Sequence, residues 1–118
     1  MKPKILVVED IEDFQLQYRK NLNDIADILA ATTLDEGKRL FDANPDIVLV
    51  VMDACVPGNK PNSMELVKHM RQTFEGPIIA SSSMLEYREI LIGAGCSIKS
   101  HKSGVPDLIR ELLRLGHQ

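Results

Sequence analysis

The feature that most constrains this chain is a series of short apolar runs that end abruptly on polar side chains. Lys4-Ile5-Leu6-Val7-Val8 is continuous and β-branched, and stops at Glu9-Asp10. Asp46-Ile47-Val48-Leu49-Val50-Val51-Met52 repeats the pattern and stops at Asp53. Pro77-Ile78-Ile79-Ala80 gives way to Ser81-Ser82-Ser83, Cys96-Ser97-Ile98 runs toward His101-Lys102, and a weaker run covers Asp27-Ile28-Leu29-Ala30-Ala31. A strand with one wet face alternates apolar and polar residues. Unbroken runs suit strands covered on both faces, as in a parallel sheet.

Helical patterns separate the runs. Ile11, Phe14, Tyr18, Leu22 and Ile25 fall on one narrow stripe at the 3.6-residue period. Thr33 with Glu36 forms a capping box that opens a second helix, which Asn44-Pro45 closes. Met64 to Phe74, Met84 to Ala94 and Val105 to Leu115 supply three more, punctuated by Gly76-Pro77 and Gly93-Ala94-Gly95. Five strand-then-helix units predict an α/β doubly wound, five-stranded parallel sheet with right-handed crossovers, a flavodoxin-like (βα)5 fold. The 118 residues suffice for one domain with a real core and are too few for two. A single domain over 1–118 is the expectation, with Met1 directly before the first strand reading as a native start and the chain stopping where the fifth helix should.

Composition narrows the function classes. A formal net charge of -3 offers no basic footprint for a nucleic-acid backbone. No apolar run approaches the ~20 residues that span a bilayer, and the N-terminus does not read as a signal peptide. Cys55 and Cys96 lack metal-ligand spacing, so two reduced thiols in a cytoplasmic protein is the expectation rather than a disulfide.

In such a sheet ligands bind outside the carboxyl ends of the strands, where the strand order reverses. For five units the usual order is 2-1-3-4-5, which sets strands 1 and 3 side by side. Glu9, Asp10 and Asp53 then converge, strand 4 adds Ser82, and strand 5 adds Lys102. Three close carboxylates repel, so one has a raised pKa unless a cation joins them. A hard divalent ion answers this, and Mg2+ takes oxygen ligands while keeping several waters. A carboxylate is also a nucleophile toward phosphorus. That reaction needs charge neutralisation and in-line placement more than acids and bases. The metal and Lys102 would neutralise, while Ser82 and backbone N–H groups would hold phosphoryl oxygens.

These residues resemble the response-regulator receiver domains of two-component signalling, the CheY-like superfamily, over nearly the whole chain. Glu9-Asp10 is similar to the family's acidic pair. Asp53, within Val50-Val51-Met52-Asp53-Ala54-Cys55-Val56-Pro57-Gly58, is similar to its phospho-acceptor and Pro-Gly loop, and Ser82 and Lys102 to its Ser/Thr and lysine positions. The resemblance implies Mg2+ on Asp10, Asp53 and the Cys55 backbone carbonyl, with Glu9 acting through water, and phosphoryl contacts from the amides of Ala54 and Ser83. It implies a switch rather than a conventional enzyme, catalysing its own phosphoryl transfer from phosphohistidine and its own dephosphorylation. The implied partners are a histidine kinase or histidine phosphotransfer protein and a downstream protein on helix 4, strand 5 and helix 5, with no direct nucleic-acid or membrane role.

The departures matter as much. The loop after Asp53 is long, with Asn59-Lys60-Pro61-Asn62 before Ser63, and Ser63 stands where the family commonly has glycine. Lys99 occupies the aromatic-switch position, so coupled Thr/aromatic rotation cannot operate here. Ser103 follows Lys102 in place of proline; since a cis bond before a non-proline costs ~2.5–4 kcal/mol, Lys102–Ser103 is expected to be trans. Leu16 and Ile92 point away from their helix stripes, which predicts a kinase-docking role for Leu16 and an output-face role for Ile92. His69, His101 and His117 are expected to do no chemistry. Three other functions remain open: a phosphorylation-independent, receiver-like interaction module; an aspartyl-phosphate hydrolase, which wants a second acid where Cys55 stands; and a flavin module, which wants a hydroxyl- and glycine-rich loop where Ile11-Glu12-Asp13 is acidic.

Overall fold

The computed structural model describes residues 2–116. Its elements alternate strictly: β1 Lys4–Val8, α1 Glu12–Leu22, β2 Asp27–Ala31, α2 Leu34–Ala43, β3 Ile47–Asp53, α3 Met64–Arg71, β4 Ile78–Ser81, α4 Leu85–Ala94, β5 Ile98–Ser100 and α5 Val105–Gly116, with a 3-10 turn at Lys102–Gly104. The five strands are parallel throughout, in the order β2-β1-β3-β4-β5. The doubly wound expectation therefore holds, including the reversal of strand order between β1 and β3.

Alternation of side chains divides the central strands β1, β3 and β4 between two cores. Leu6, Val8, Val50, Met52, Ile78 and Ala80 face one side with Phe41, Leu66, Val67, Met70 and Leu91. Ile5, Val7, Leu49, Val51 and Ile79 face the other with Tyr18, Leu22, Val105 and Ile109. Both faces are dry, which explains the unbroken apolar runs. Each such fully buried aliphatic contributes roughly 1.5–3 kcal/mol of transfer free energy. Val48 is the exception at 42% exposed. The register between β1 and β3 steps from Lys4↔Ile47 to Ile5↔Leu49, so Val48 is the extra residue of a bulge.

Local chemistry sets the boundaries. The Thr33 hydroxyl accepts from the Glu36 N–H at 3.1 Å and caps α2, while Glu36 Oε1 reaches back one residue past the cap to accept from the Thr32 N–H at 3.0 Å. Gly95 ends α4 at φ +133°, a conformation that favours glycine. Arg71 reaches across to the Gly95 carbonyl at 2.7 Å and also binds the carbonyls of Phe74 and Gly76, closing α3 three residues before the Phe74 boundary read from the pattern.

Other expectations need correction. Ile11 does not join the α1 stripe: it precedes the helix as its N-cap and is 45% exposed. Ile92 does not face outward either. It packs against the α2/α3 side of the core, and Leu85 and Ile90 are the α4 aliphatics that face solvent. Leu16 is exposed, as its position on α1 predicts. Val56–Pro57 is cis, and Lys102–Ser103 is trans. Both cysteines are free thiols. His69 pairs with Asp42 at 2.8 Å, linking α3 to α2, and His101 Nδ1 accepts from the Ser103 N–H in the 3-10 turn. His117 and Met1 lie outside the described residues. Among those described, no helix is long and apolar enough to cross a membrane.

Candidate functional site at the carboxyl ends of the strands

Register delivers the site. Val8 pairs with Met52, Asp53 with Ser81, and Ser81 with Ser100, so the strands run out level with one another. Glu9 and Asp10 leave β1 beside Asp53, and carboxylate oxygens of all three lie within 4.8 Å of one another. The Glu9 amide continues the ladder by donating to the Ala31 carbonyl at 2.9 Å, holding the residue at the sheet edge. Glu9 is 1% exposed and Asp53 4%, both far below what carboxylates ordinarily tolerate.

Lys102 meets this charge from the turn after β5. Its Nζ lies 2.8 Å from Glu9 Oε1 and 3.3 Å from Asp53 Oδ2, and 4.7 Å from the centre of the Phe14 ring. Burial pulls the ammonium down, but the hydrogen bond to Glu9 and the charges of Asp53 and Glu9 outweigh it and leave its pKa above the ordinary value. Asp53 moves the other way from a normal carboxyl. Burial, then the hydrogen bond and charge of Glu9, push its pKa up to about 7, with Lys102 opposing. One lysine does not balance this acidic cluster. The donor set is hard, oxygen-only and short of positive charge, and that fits a divalent cation such as Mg2+.

Asp10, Asp53, Cys55, Ser82, Ser83 and Lys102 line one crevice of about 440 Å³, together with Ile11, Gly58, Asn59, Met84 and Tyr87. The three serines at the end of β4 differ in placement. Ser81 points to the α1/α5 core, where its hydroxyl is buried without a partner, while Ser82 lines the crevice and Ser83 is exposed at its rim. Ser82 Oγ accepts from the Met84 N–H at 3.0 Å, so the same hydroxyl closes the turn that leads into α4. Two expected contacts are already occupied. The Ala54 amide donates to the Ser81 carbonyl at 3.3 Å. Both Glu9 oxygens accept bonds, from Lys102 and from the Ile11 N–H at 3.2 Å, so Glu9 serves first as the anchor of Lys102.

Several contributing residues escaped the pattern reading. Gln15 is buried within α1 and donates from Nε2 to the carbonyls of Val7, Glu9 and Ala31, bracing the end of β1. A polar residue next to an apolar stripe gives no such signal. Ser63, fully buried, donates to the Asp53 carbonyl at 2.8 Å beneath the acidic residue. Its departure from glycine was visible, but its direction was not. Asn62 closes the long loop, accepting from the Val56 N–H at 2.7 Å and donating to the Val56 carbonyl at 2.9 Å. Lys99, in place of an aromatic, forms an ion pair with Glu89 of α4.

The fold and its acidic crevice define a doubly wound α/β domain with an anionic site at the reversal of strand order. No family model matches the sequence, and no curated protein matches it. Solved structures do. The N-terminal domain of an uncharacterized protein from Wolinella succinogenes superposes with a TM-score of 0.78 at 23% identity, over 99% of this chain and 94% of that one. The BeF3-activated N-terminal receiver domain of RstA from Klebsiella pneumoniae gives 0.74 at 25% identity, over 95% and 96%. A CheY-like response-regulator receiver domain protein from Methanospirillum hungatei gives 0.78 at 19%, over 98% and 94%. The chain has the fold of response-regulator receiver domains along almost its whole length.

Proposed function

We propose that this domain is a phosphorylation switch whose acceptor is Asp53. The observation that carries this reading is the cluster of buried Glu9 and Asp53 with half-buried Asp10 and a single lysine against it, where Asp10, Asp53 and Lys102 line an open crevice. Asp53 Oδ attacks the phosphorus of a phosphohistidine on a histidine kinase or phosphotransfer protein. The P–N bond breaks, its electron pair stays with the imidazole, and an acyl phosphate forms on Asp53. Lys102, fixed by Glu9, neutralises developing charge on the transferring group. The Ser82 hydroxyl and the Ser83 amide hold phosphoryl oxygens, and the Ala54 amide does so once it turns from the Ser81 carbonyl. Asp10, Asp53 and the Cys55 carbonyl would hold Mg2+, with Glu9 behind them through water. When bound, that ion supplies charge neutralisation at the phosphoryl group.

A phosphoryl group adds about -1.5 to -2 charge. Drawing Ser82 toward it breaks the bond to the Met84 N–H, so the message leaves through the turn before α4. The Lys99–Glu89 pair favours a second reading, a receiver-like interaction module that works without phosphorylation, because it ties β5 to α4 where an aromatic rotor would stand. Beryllofluoride with Mg2+ separates the two. The switch predicts shifts of the amide signals of Asp53, Ala54, Ser83 and Met84; unchanged spectra favour the static module.

A further inference from the structure

The long loop after Asp53 and the first turn of α4 meet over the crevice. The loop is fixed at its base, where the Asn62 side chain binds both backbone groups of Val56 and the Asn62 amide donates to the Ala54 carbonyl at 2.9 Å. Its tip turns outward through Gly58 at φ +107°. Beyond Gly58 the Tyr87 hydroxyl donates to the Asn59 carbonyl at 2.9 Å and tethers the tip to α4. Tyr87 is seated firmly enough to hold it, since its ring packs against the α2/α3 core. Asn59 and Tyr87 both line the crevice that contains Asp53.

This placement has a chemical consequence that rests on the reading of Asp53 as acceptor. An aspartyl phosphate is lost when a water oxygen attacks phosphorus in line with the P–Oδ bond. That bond breaks, its electron pair returns to the carboxylate, and inorganic phosphate leaves while the water proton passes to solvent. Attack comes from the side opposite Asp53, which is the mouth of the crevice. With a small donor such as acetyl phosphate the acetate leaving group occupies the same space, and departs with the electron pair of its P–O bond. We propose that Tyr87 is a positioning residue: by tethering Asn59 it narrows the mouth and slows exchange of the phosphoryl group with water and small donors alike.

Tyr87→Phe removes the tether and keeps the ring. With the full chain, Mg2+ and radiolabelled acetyl phosphate, the variant should both gain and lose label about fivefold faster, the size of effect expected from one net hydrogen bond. Its Mg2+ affinity, read by amide-shift titration, should match that of the unaltered chain, since the metal-ligating groups are untouched. Asn62→Ala loosens the base of the same loop and should accelerate decay in the same direction. Unchanged decay in both variants overturns the proposal, as does acceleration that tracks a change in Mg2+ affinity. An unaltered chain that takes no label on Asp53 removes the acceptor reading itself, an outcome distinct from label that forms and decays at an unaltered rate.

Discussion

The two ends of the same five strands are built on opposite terms. At the carboxyl ends Glu9 and Asp53 are buried against Lys102. At the amino ends Pro3, Val48, Leu49, Pro77, Leu112 and Leu113 line an apolar groove beside α5. The amino end gains stability from transfer of apolar surface, whereas the carboxyl end removes charge from water with incomplete compensation. The strands are thus stabilised at one end and strained electrostatically at the other, which is where a reactive site would be expected.

The comparison breaks first at Lys102. Lys102→Ala leaves Glu9 buried without its cation, and should destabilise the chain by about 3 kcal/mol in urea denaturation while abolishing labelling by acetyl phosphate. A smaller effect of opposite sign is expected at Asp53. Its carboxyl keeps a proton up to about pH 7 in the folded chain but releases it near the ordinary aspartate value of 3.8 when unfolded. Between those values the unfolded state binds fewer protons, so stability in metal-free buffer falls as pH rises and levels off above 7. Asp53→Asn should flatten that profile and be more stable by about 2 kcal/mol at pH 8. Added Mg2+ should raise the stability of the unaltered chain at that pH and leave the variant nearly unmoved. The smallest effect belongs to the apolar end. Leu112→Ala, at a half-buried site, should cost about 1.5 kcal/mol and leave labelling unchanged, because nothing at that end touches the crevice.

The same contrast explains what could be read from the chain alone. Double-sided burial writes itself into composition as unbroken runs, so β1, β3 and β4 were legible, and the usual order for five strand-helix units then brought Glu9, Asp10, Asp53, Ser82 and Lys102 together. Capping chemistry was legible at Thr33 and Glu36 for the same reason: the partners are close in sequence. Long-range polar contacts were not. Gln15 bracing three carbonyls, Ser63 beneath Asp53 and Tyr87 on Asn59 each depend on a side-chain direction that no local pattern encodes. Ile92 failed for a related reason, since α4 packs on α3 as well as on the sheet and its buried arc is wider than one stripe.

The central claim is that the strained end of the sheet accepts a phosphoryl group on one named carboxylate. Incubation with acetyl phosphate and Mg2+, followed by intact-mass measurement and peptide mapping, tests it directly. One phosphoryl group per chain on Asp53, lost completely in Asp53→Asn, is the expected result. An unlabelled chain, or label that persists in the asparagine variant, would contradict it.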